Sequence, residues 1–122
     1  MIPYTLHNIN SDDIESVVDV LNSNWLTQGS KIQDFEYLIS EYCSVKYATA
    51  VNSGTSALHL SCLALGLGKD DLMWTTPNSF VASANCALYC GATVDFVDIN
   101  KDTYNMDVSA LKEKLERTSS EK

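Results

Sequence analysis

The residues best suited to chemistry lie together in Asn52-Ser53-Gly54-Thr55-Ser56-Ala57-Leu58. A glycine followed by two hydroxyl residues stands where a short apolar run gives way to a helical pattern, an arrangement that suits an anion. Gly54 has no Cβ to hold a phosphate off the backbone, and Thr55 and Ser56 bring two amides and two hydroxyls. The first N–H groups of a helix have no partner within it, and the helix dipole is positive at that end. An ordinary capped helix with a glycine turn uses the same residues, so both readings stay open on this segment alone. Neither Gly-Lys-Ser/Thr nor Gly-x-Gly-x-x-Gly occurs, which argues against a nucleoside triphosphate or a dinucleotide. A second segment, Thr75-Thr-Pro-Asn-Ser-Phe80-Val-Ala82, carries an aromatic that either offers a flat face to a ring ligand or fills a core.

Other reactive residue types have plainer explanations. Cys43, Cys62, Cys86 and Cys90 sit in apolar stretches without a Cys-x-x-Cys spacing, and both histidines are far from them in sequence. Cys86 and Cys90 share a helical face, half of a metal site at most; they read as small buried side chains, and no metal is expected. His59 lies between two leucines and reads as packing rather than as an acid–base group. Trp25 could meet a nucleotide base, but its junction position favours a core role.

The elements that must position these residues follow from periodicity. Ile14, Val17, Val18 and Leu21 mark an amphipathic helix with Ser11 as its N-cap. Ser30 is placed to cap a second helix with the stripe Ile32, Phe35, Ile39 and Tyr42. From there strands at 47–51, 72–76 and 93–97 alternate with helices at 56–67, 81–90 and 108–117, the last with Leu111 and Leu115 inward. Strand and helix in alternation with short links predict βαβ units on a mostly parallel sheet flanked by helices, an α/β fold. Both chemical segments follow strands, where such a sheet gathers its ligand sites.

Sixteen Asp and Glu against eight Lys and Arg, a net charge of −8, argue against nucleic acid and anionic membrane as partners. The longest apolar runs fall short of the ~20 residues of a membrane span, and the N-terminus has no signal-peptide pattern. A cytoplasmic protein is expected. The chain runs out of its last helix without a strand to follow, and three strands make a narrow sheet, so a truncated front part of a larger fold is expected.

Five ordered motifs carry a resemblance: Leu26-Thr-Gln-Gly29, Asn52-Ser-Gly-Thr-Ser-Ala-Leu-His59, Ala64-Leu-Gly-Leu-Gly68, Thr75-Thr-Pro-Asn-Ser-Phe-Val-Ala82 and Gly91-Ala-Thr-Val-Asp-Phe-Val-Asp98. Over about residues 2–115 the chain resembles the N-terminal part of the DegT/StrS-type nucleotide-sugar aminotransferases, pyridoxal 5′-phosphate (PLP) enzymes of fold type I. Residues 79–98 are especially similar to the branch that serves pseudaminic acid biosynthesis. That branch transfers an amino group to C4 of a UDP-linked 4-keto-6-deoxy-N-acetylhexosamine. The resemblance implies the partial PLP-binding large domain at 31–122, preceded by a helix and a substrate-side segment at 1–30. Gly54, Thr55 and Ser56 match the turn that holds the PLP phosphate, and Phe80 matches the aromatic that stacks on the pyridine ring. Thr27 and Gly29 lie in the segment that lines the substrate side, and Asp98 matches a structural position. Glutamate as amino donor and a homodimer are implied likewise.

The resemblance also shows what is missing. Transamination on PLP needs a lysine to carry the cofactor and move a proton, and an acid to keep the ring nitrogen protonated. In the family both lie beyond position 122, the lysine in a Ser-x-x-x-x-Lys motif. Ser109 to Lys114 matches that spacing here, but on a charged helix without the glycines that follow it in the family. No catalytic residue is therefore assigned, the 122 residues alone are expected to be inactive, and their PLP binding weak or absent. Two alternatives remain: a non-catalytic α/β module for a phosphorylated ligand, and an inactive remnant.

Overall fold

The structure, a computed structural model, describes residues 2–120. Its elements are α1 (Ser11–Leu21), α2 (Ser30–Cys43), α3 (Gly54–Ala64), β1 (Leu72–Thr75), α4 (Ala82–Tyr89), β2 (Thr93–Phe96) and α5 (Val108–Ser120). The chain divides after Ala50 into two compact units.

In the first unit the helix starts differ from expectation by one residue. Asn10, not Ser11, caps α1: its Oδ1 accepts from the amides of Asp12 (2.8 Å) and Asp13 (3.2 Å). Asp13 Oδ2 accepts in return from Asn10 N at 2.9 Å. This reciprocal pair satisfies donors at both positions, which the Ser11 hydroxyl cannot do from inside the first turn, where it donates to Asp12 instead. Gly29, not Ser30, caps α2, and it offers no side chain to do so. A Cβ on Gly29 would stand 2.9 Å from the carbonyl oxygen of Trp25, a backbone atom that cannot swing aside. Gln28 beside it has φ +53°, the left-handed region that costs a residue with a Cβ. The apolar stripes of α1 and α2 exist, but the two helices do not pack on one another, and α1 has no buried residue.

Residues 47–51, expected as a buried strand, are extended but unpaired. A strand exists only as one side of a ladder, and no described strand lies beside this segment. The amide of Ala50 is met instead by Glu36 Oε1 of α2 at 2.8 Å. Among the described residues the sheet thus has two strands where the sequence suggested three.

The second unit is a βαβ turn. β1 and β2 pair in parallel, Leu72 opposite Thr93 through Thr75 opposite Phe96, with α4 as the crossover. α4 packs on both strands and on α3. The buried apolar residues Ala82, Cys86, Ala87, Ala92 and Val97 surround this crossover. Four of the five are small, which lets the helix lie close to the sheet; Ala87 is 0 % exposed. Gly66 (φ +77°) and Gly91 (φ +80°) take the left-handed positions that end α3 and α4. The first of these stops α3 at Ala64, short of the expected Leu67.

After β2, a bridge between Ile99 and Met106 closes a tight loop around the Asn100 side chain, which accepts from the amides of Asp102 and Thr103. Asp107 then caps α5, accepting from the amides of Ser109 (2.8 Å) and Ala110 (2.9 Å). Leu111 is half-buried as expected, but Leu115 is 51 % exposed. Lys114 turns toward the sheet instead.

Two predictions test these local constraints. Gly29→Ala is expected to lower stability by about 1–3 kcal/mol in denaturant unfolding, because the new methyl meets fixed backbone. The Ala110 amide first, then that of Ser109, hold the Asp107 carboxyl below the ordinary carboxylate range. Its contribution is complete above that ordinary value and lost as pH falls through the lowered one. Amide exchange in the first turn of α5 is therefore expected to rise in acid, and Asp107→Asn, which caps without titrating, to flatten that response.

Candidate functional site

The anion-binding segment is built by the start of α3. Ser53 is the N-cap, extended at φ −161°, and its Oγ accepts from the amide of Ser56 at 3.1 Å. The Ser56 hydroxyl donates to Asn52 Oδ1 at 2.6 Å. Ser53 Oγ and Ser56 Oγ are 3.0 Å apart. A hydroxyl has one proton, and that of Ser56 is already given to Asn52, so Ser53 is the donor of this last bond. The amide and the hydroxyl proton of Ser56 are both used within the turn. Three donors remain: the amides of Gly54 and Thr55, which start the helix without an intrahelical partner, and the Thr55 hydroxyl.

Gly54 is explained by nothing in the protein itself. Its φ is not in the left-handed region, and a Cβ built on it meets no atom within 4 Å. The space a side chain would fill is open, at the same first turn of α3 that carries the two free amides. A phosphate pressed onto the backbone fits that space, and a methyl group there would push it off.

Phe80 stands two residues ahead of α4 and is 75 % exposed, so it does not fill the core of this unit. It belongs to the same unit as Gly54, Thr55 and Ser56, and the two helices that these residues introduce pack against each other. Thr27 and Gly29 belong to the first unit. There Gly29, with Trp25, Leu26 and Ile32, lines a mostly apolar cleft of about 350 Å³ that Thr27 does not line. Trp25 is 64 % exposed rather than core.

The remaining reactive residues are accounted for by structure. Lys114 Nζ lies 2.5 Å from Asp95 Oδ2, donates to the Phe96 carbonyl at 2.6 Å and sits 5.6 Å from the centre of the Trp74 ring. The Lys114 ammonium, and after it the Phe96 amide, hold the Asp95 carboxyl below the ordinary range. Both charges tie α5 to the sheet. His59 meets Tyr89 edge to face at 5.4 Å. Burial, and then the neighbouring thiols of Cys86 and Cys90, push the Cys62 thiol up to about 11, which leaves it protonated and unreactive. Among the described residues no three His, Cys, Asp or Glu gather to hold a metal.

Two features escaped the sequence reading. Asn52 and Ser53 were legible as part of the motif, yet their bonds to Ser56 depend on rotamers that spacing does not give. The approach of Cys62 to Cys86 and Cys90 depends on how α3 and α4 are set against each other.

Known proteins match this chain along almost all of its length. The model of the DegT/DnrJ/EryC1/StrS aminotransferase family matches residues 7–121. A UDP-4-amino-4,6-dideoxy-N-acetyl-beta-L-altrosamine transaminase of Campylobacter jejuni is 43 % identical over 121 residues, which are 99 % of this chain and 32 % of that protein. Among solved structures, a sugar aminotransferase of Streptococcus pneumoniae in its PLP form superposes with a TM-score of 0.88. It is 34 % identical, over 92 % of this chain and 29 % of that one. The Helicobacter pylori aminotransferase PseC, involved in the biosynthesis of pseudoaminic acid, gives a TM-score of 0.84 at 38 % identity, over 91 % and 30 %. The chain therefore spans about a third of the length of the relatives it matches, with the α/β fold of the corresponding part of their structures. It belongs to the DegT/DnrJ/EryC1/StrS aminotransferase family.

Proposed function

We propose that these residues form the phosphate-holding and ring-stacking part of a PLP-dependent nucleotide-sugar aminotransferase. The observation that carries the reading is Gly54, whose missing side chain leaves open space beside two unpartnered amides. The amides of Gly54 and Thr55 and the Thr55 hydroxyl would hold the phosphate of PLP, with Ser56 behind them. The exposed face of Phe80 would lie on the ring. Bound there, PLP supplies an electron sink for the carbon that gains or loses the amino group. Phosphate and ring contacts from these residues would together orient the cofactor and keep water from one of its faces.

The substrate reading follows the similarity to the Campylobacter jejuni transaminase and to PseC. It is a UDP-linked 4-keto-6-deoxy-N-acetylhexosamine, aminated at C4 with glutamate as donor, by a cytoplasmic homodimer. Residues 1–30, with Thr27 and Gly29, would belong to its substrate side, and residues 31–122 to its cofactor domain. No helix among the described residues is long and apolar enough to cross a membrane. Lys114, the one lysine at the family's spacing, is held by Asp95 and the Phe96 carbonyl, so in this reading the reactive amine is supplied from outside these 122 residues.

Pyridoxamine 5′-phosphate tests the reading, since it carries the ring and the phosphate but no aldehyde to react with surface lysines. Binding by these residues alone is weak rather than absent in this reading, so its ³¹P resonance is expected to shift saturably only at high chain concentration, yet more tightly than inorganic phosphate does. Thr55→Val and Phe80→Ala are each expected to weaken binding by about tenfold, equal to about 1.4 kcal/mol. Binding that ignores both substitutions, or that does not exceed inorganic phosphate, would contradict the proposal. The chain by itself is expected to transfer no amino group from glutamate, and turnover by it would overturn the assignment of Lys114.

A further inference from the structure

We propose that Asn52 is a positioning residue of the phosphate cup, acting through the Ser56 hydroxyl, and that Ser56 itself is not a phosphate donor. The inference rests on the cup reading above and concerns how the turn divides its donors. Each hydrogen bond in the turn has one possible direction. The carbonyl oxygen of the Asn52 side chain can only accept, so the 2.6 Å contact takes the Ser56 proton. Ser53 Oγ accepts from the Ser56 amide at 3.1 Å and gives its own proton to Ser56 Oγ at 3.0 Å. The three side chains therefore form a directed chain from Ser53 through Ser56 to Asn52. Neither hydroxyl proton on it points outward, and the side-chain NH2 of Asn52 is the only donor left at its end.

The consequence is a division of labour within five residues. Ser56, which by type and position looks like a ligand, has spent its amide on Ser53 and its hydroxyl proton on Asn52. The phosphate is left to the amides of Gly54 and Thr55 and to the Thr55 hydroxyl. What Asn52 does is hold the Ser56 side chain across the base of the turn, so that those two amides keep one direction before any ligand arrives. A preset donor pair loses less freedom on binding than a mobile one. The Asn52 amide stands just before the N-cap, outside the helix, where it can brace the turn without blocking the open space at Gly54.

The test is a double-mutant cycle read by ³¹P titration of pyridoxamine 5′-phosphate into the 122-residue chain, with circular dichroism monitoring the fold. Asn52→Ala and Ser56→Ala are each expected to weaken binding about threefold to tenfold, the range of one net hydrogen bond. The double variant is expected to bind no more weakly than either single one, because both remove the same link. Ser56→Thr, which keeps a hydroxyl, is expected to recover the affinity that Ser56→Ala loses. Thr55→Val combined with Asn52→Ala is expected to multiply the two losses, since Thr55 touches phosphate directly. Multiplying losses for Asn52 and Ser56, or an Asn52→Ala chain that binds like the parent, would overturn the inference and leave the cup standing. A parent chain that shows no saturable shift would overturn the cup reading and this inference with it. If Asn52→Ala loses helical signal, Asn52→Gln, which keeps the amide but overshoots the 2.6 Å contact, replaces it with the same expected outcomes.

Discussion

Backbone amides at the start of a helix need partners, and at α3 that need organises the whole candidate site. The Ser53 side chain meets the amide of Ser56, and its carbonyl meets that of Ala57 at 3.1 Å. Gly54 and Thr55 are left over. Left in water these amides cost little, but covered by an uncharged ligand without acceptors each would cost about 1–3 kcal/mol. An anion reverses the sign, since charge-assisted bonds are about twice as strong as neutral ones. The ligand that suits this turn is therefore small, negatively charged and rich in acceptor oxygens.

The rest of the second unit holds that helix in place. α3 packs on α4, α4 on the two parallel strands, and the small residues Ala82, Cys86 and Ala87 allow the close approach. The Lys114–Asp95 pair adds a tie between α5 and β2, reinforced by the bond from Lys114 to the Phe96 carbonyl. Phe96 closes β2 opposite Thr75 of β1, so the tie is made at the C-terminal end of the strand pair. Pair and bond are partly exposed, and their worth lies in geometry more than in energy.

Composition and periodicity made the elements of this fold legible in the sequence, while the caps, rotamers and strand partners that finish them were not. The helices expected at 56–67 and 81–90 are present as α3 and α4, and Gly66 and Gly91 take the positive φ just past their ends, the first cutting α3 shorter than expected. Helix starts were missed by one residue at Ser11 and Ser30, where a reciprocal pair of Asn10 with Asp13 and a side-chain-free Gly29 close to the Trp25 carbonyl form the caps in place of the serine hydroxyls. The apolar run at 47–51 has strand composition, but composition cannot supply the neighbour that makes a ladder. In the candidate site, type and spacing left Gly54, Thr55 and Phe80 open between a ligand and a structural role, and it was the resemblance that assigned them. That Ser56 turns inward could not be read from the sequence, because it depends on one proton and on which oxygen receives it. The inward turn of Lys114 in place of Leu115 is of the same kind, set by Asp95 across the sheet.

The most direct measurement is a backbone ¹H–¹⁵N correlation spectrum of the chain with and without pyridoxamine 5′-phosphate. The account predicts that the Gly54 and Thr55 amides move most, downfield, as they take up the phosphate, with Ser56 moving less because its amide stays on Ser53. Shifts centred on the cleft beside Trp25 or on the basic residues of α5, with Gly54 and Thr55 unmoved, would contradict it.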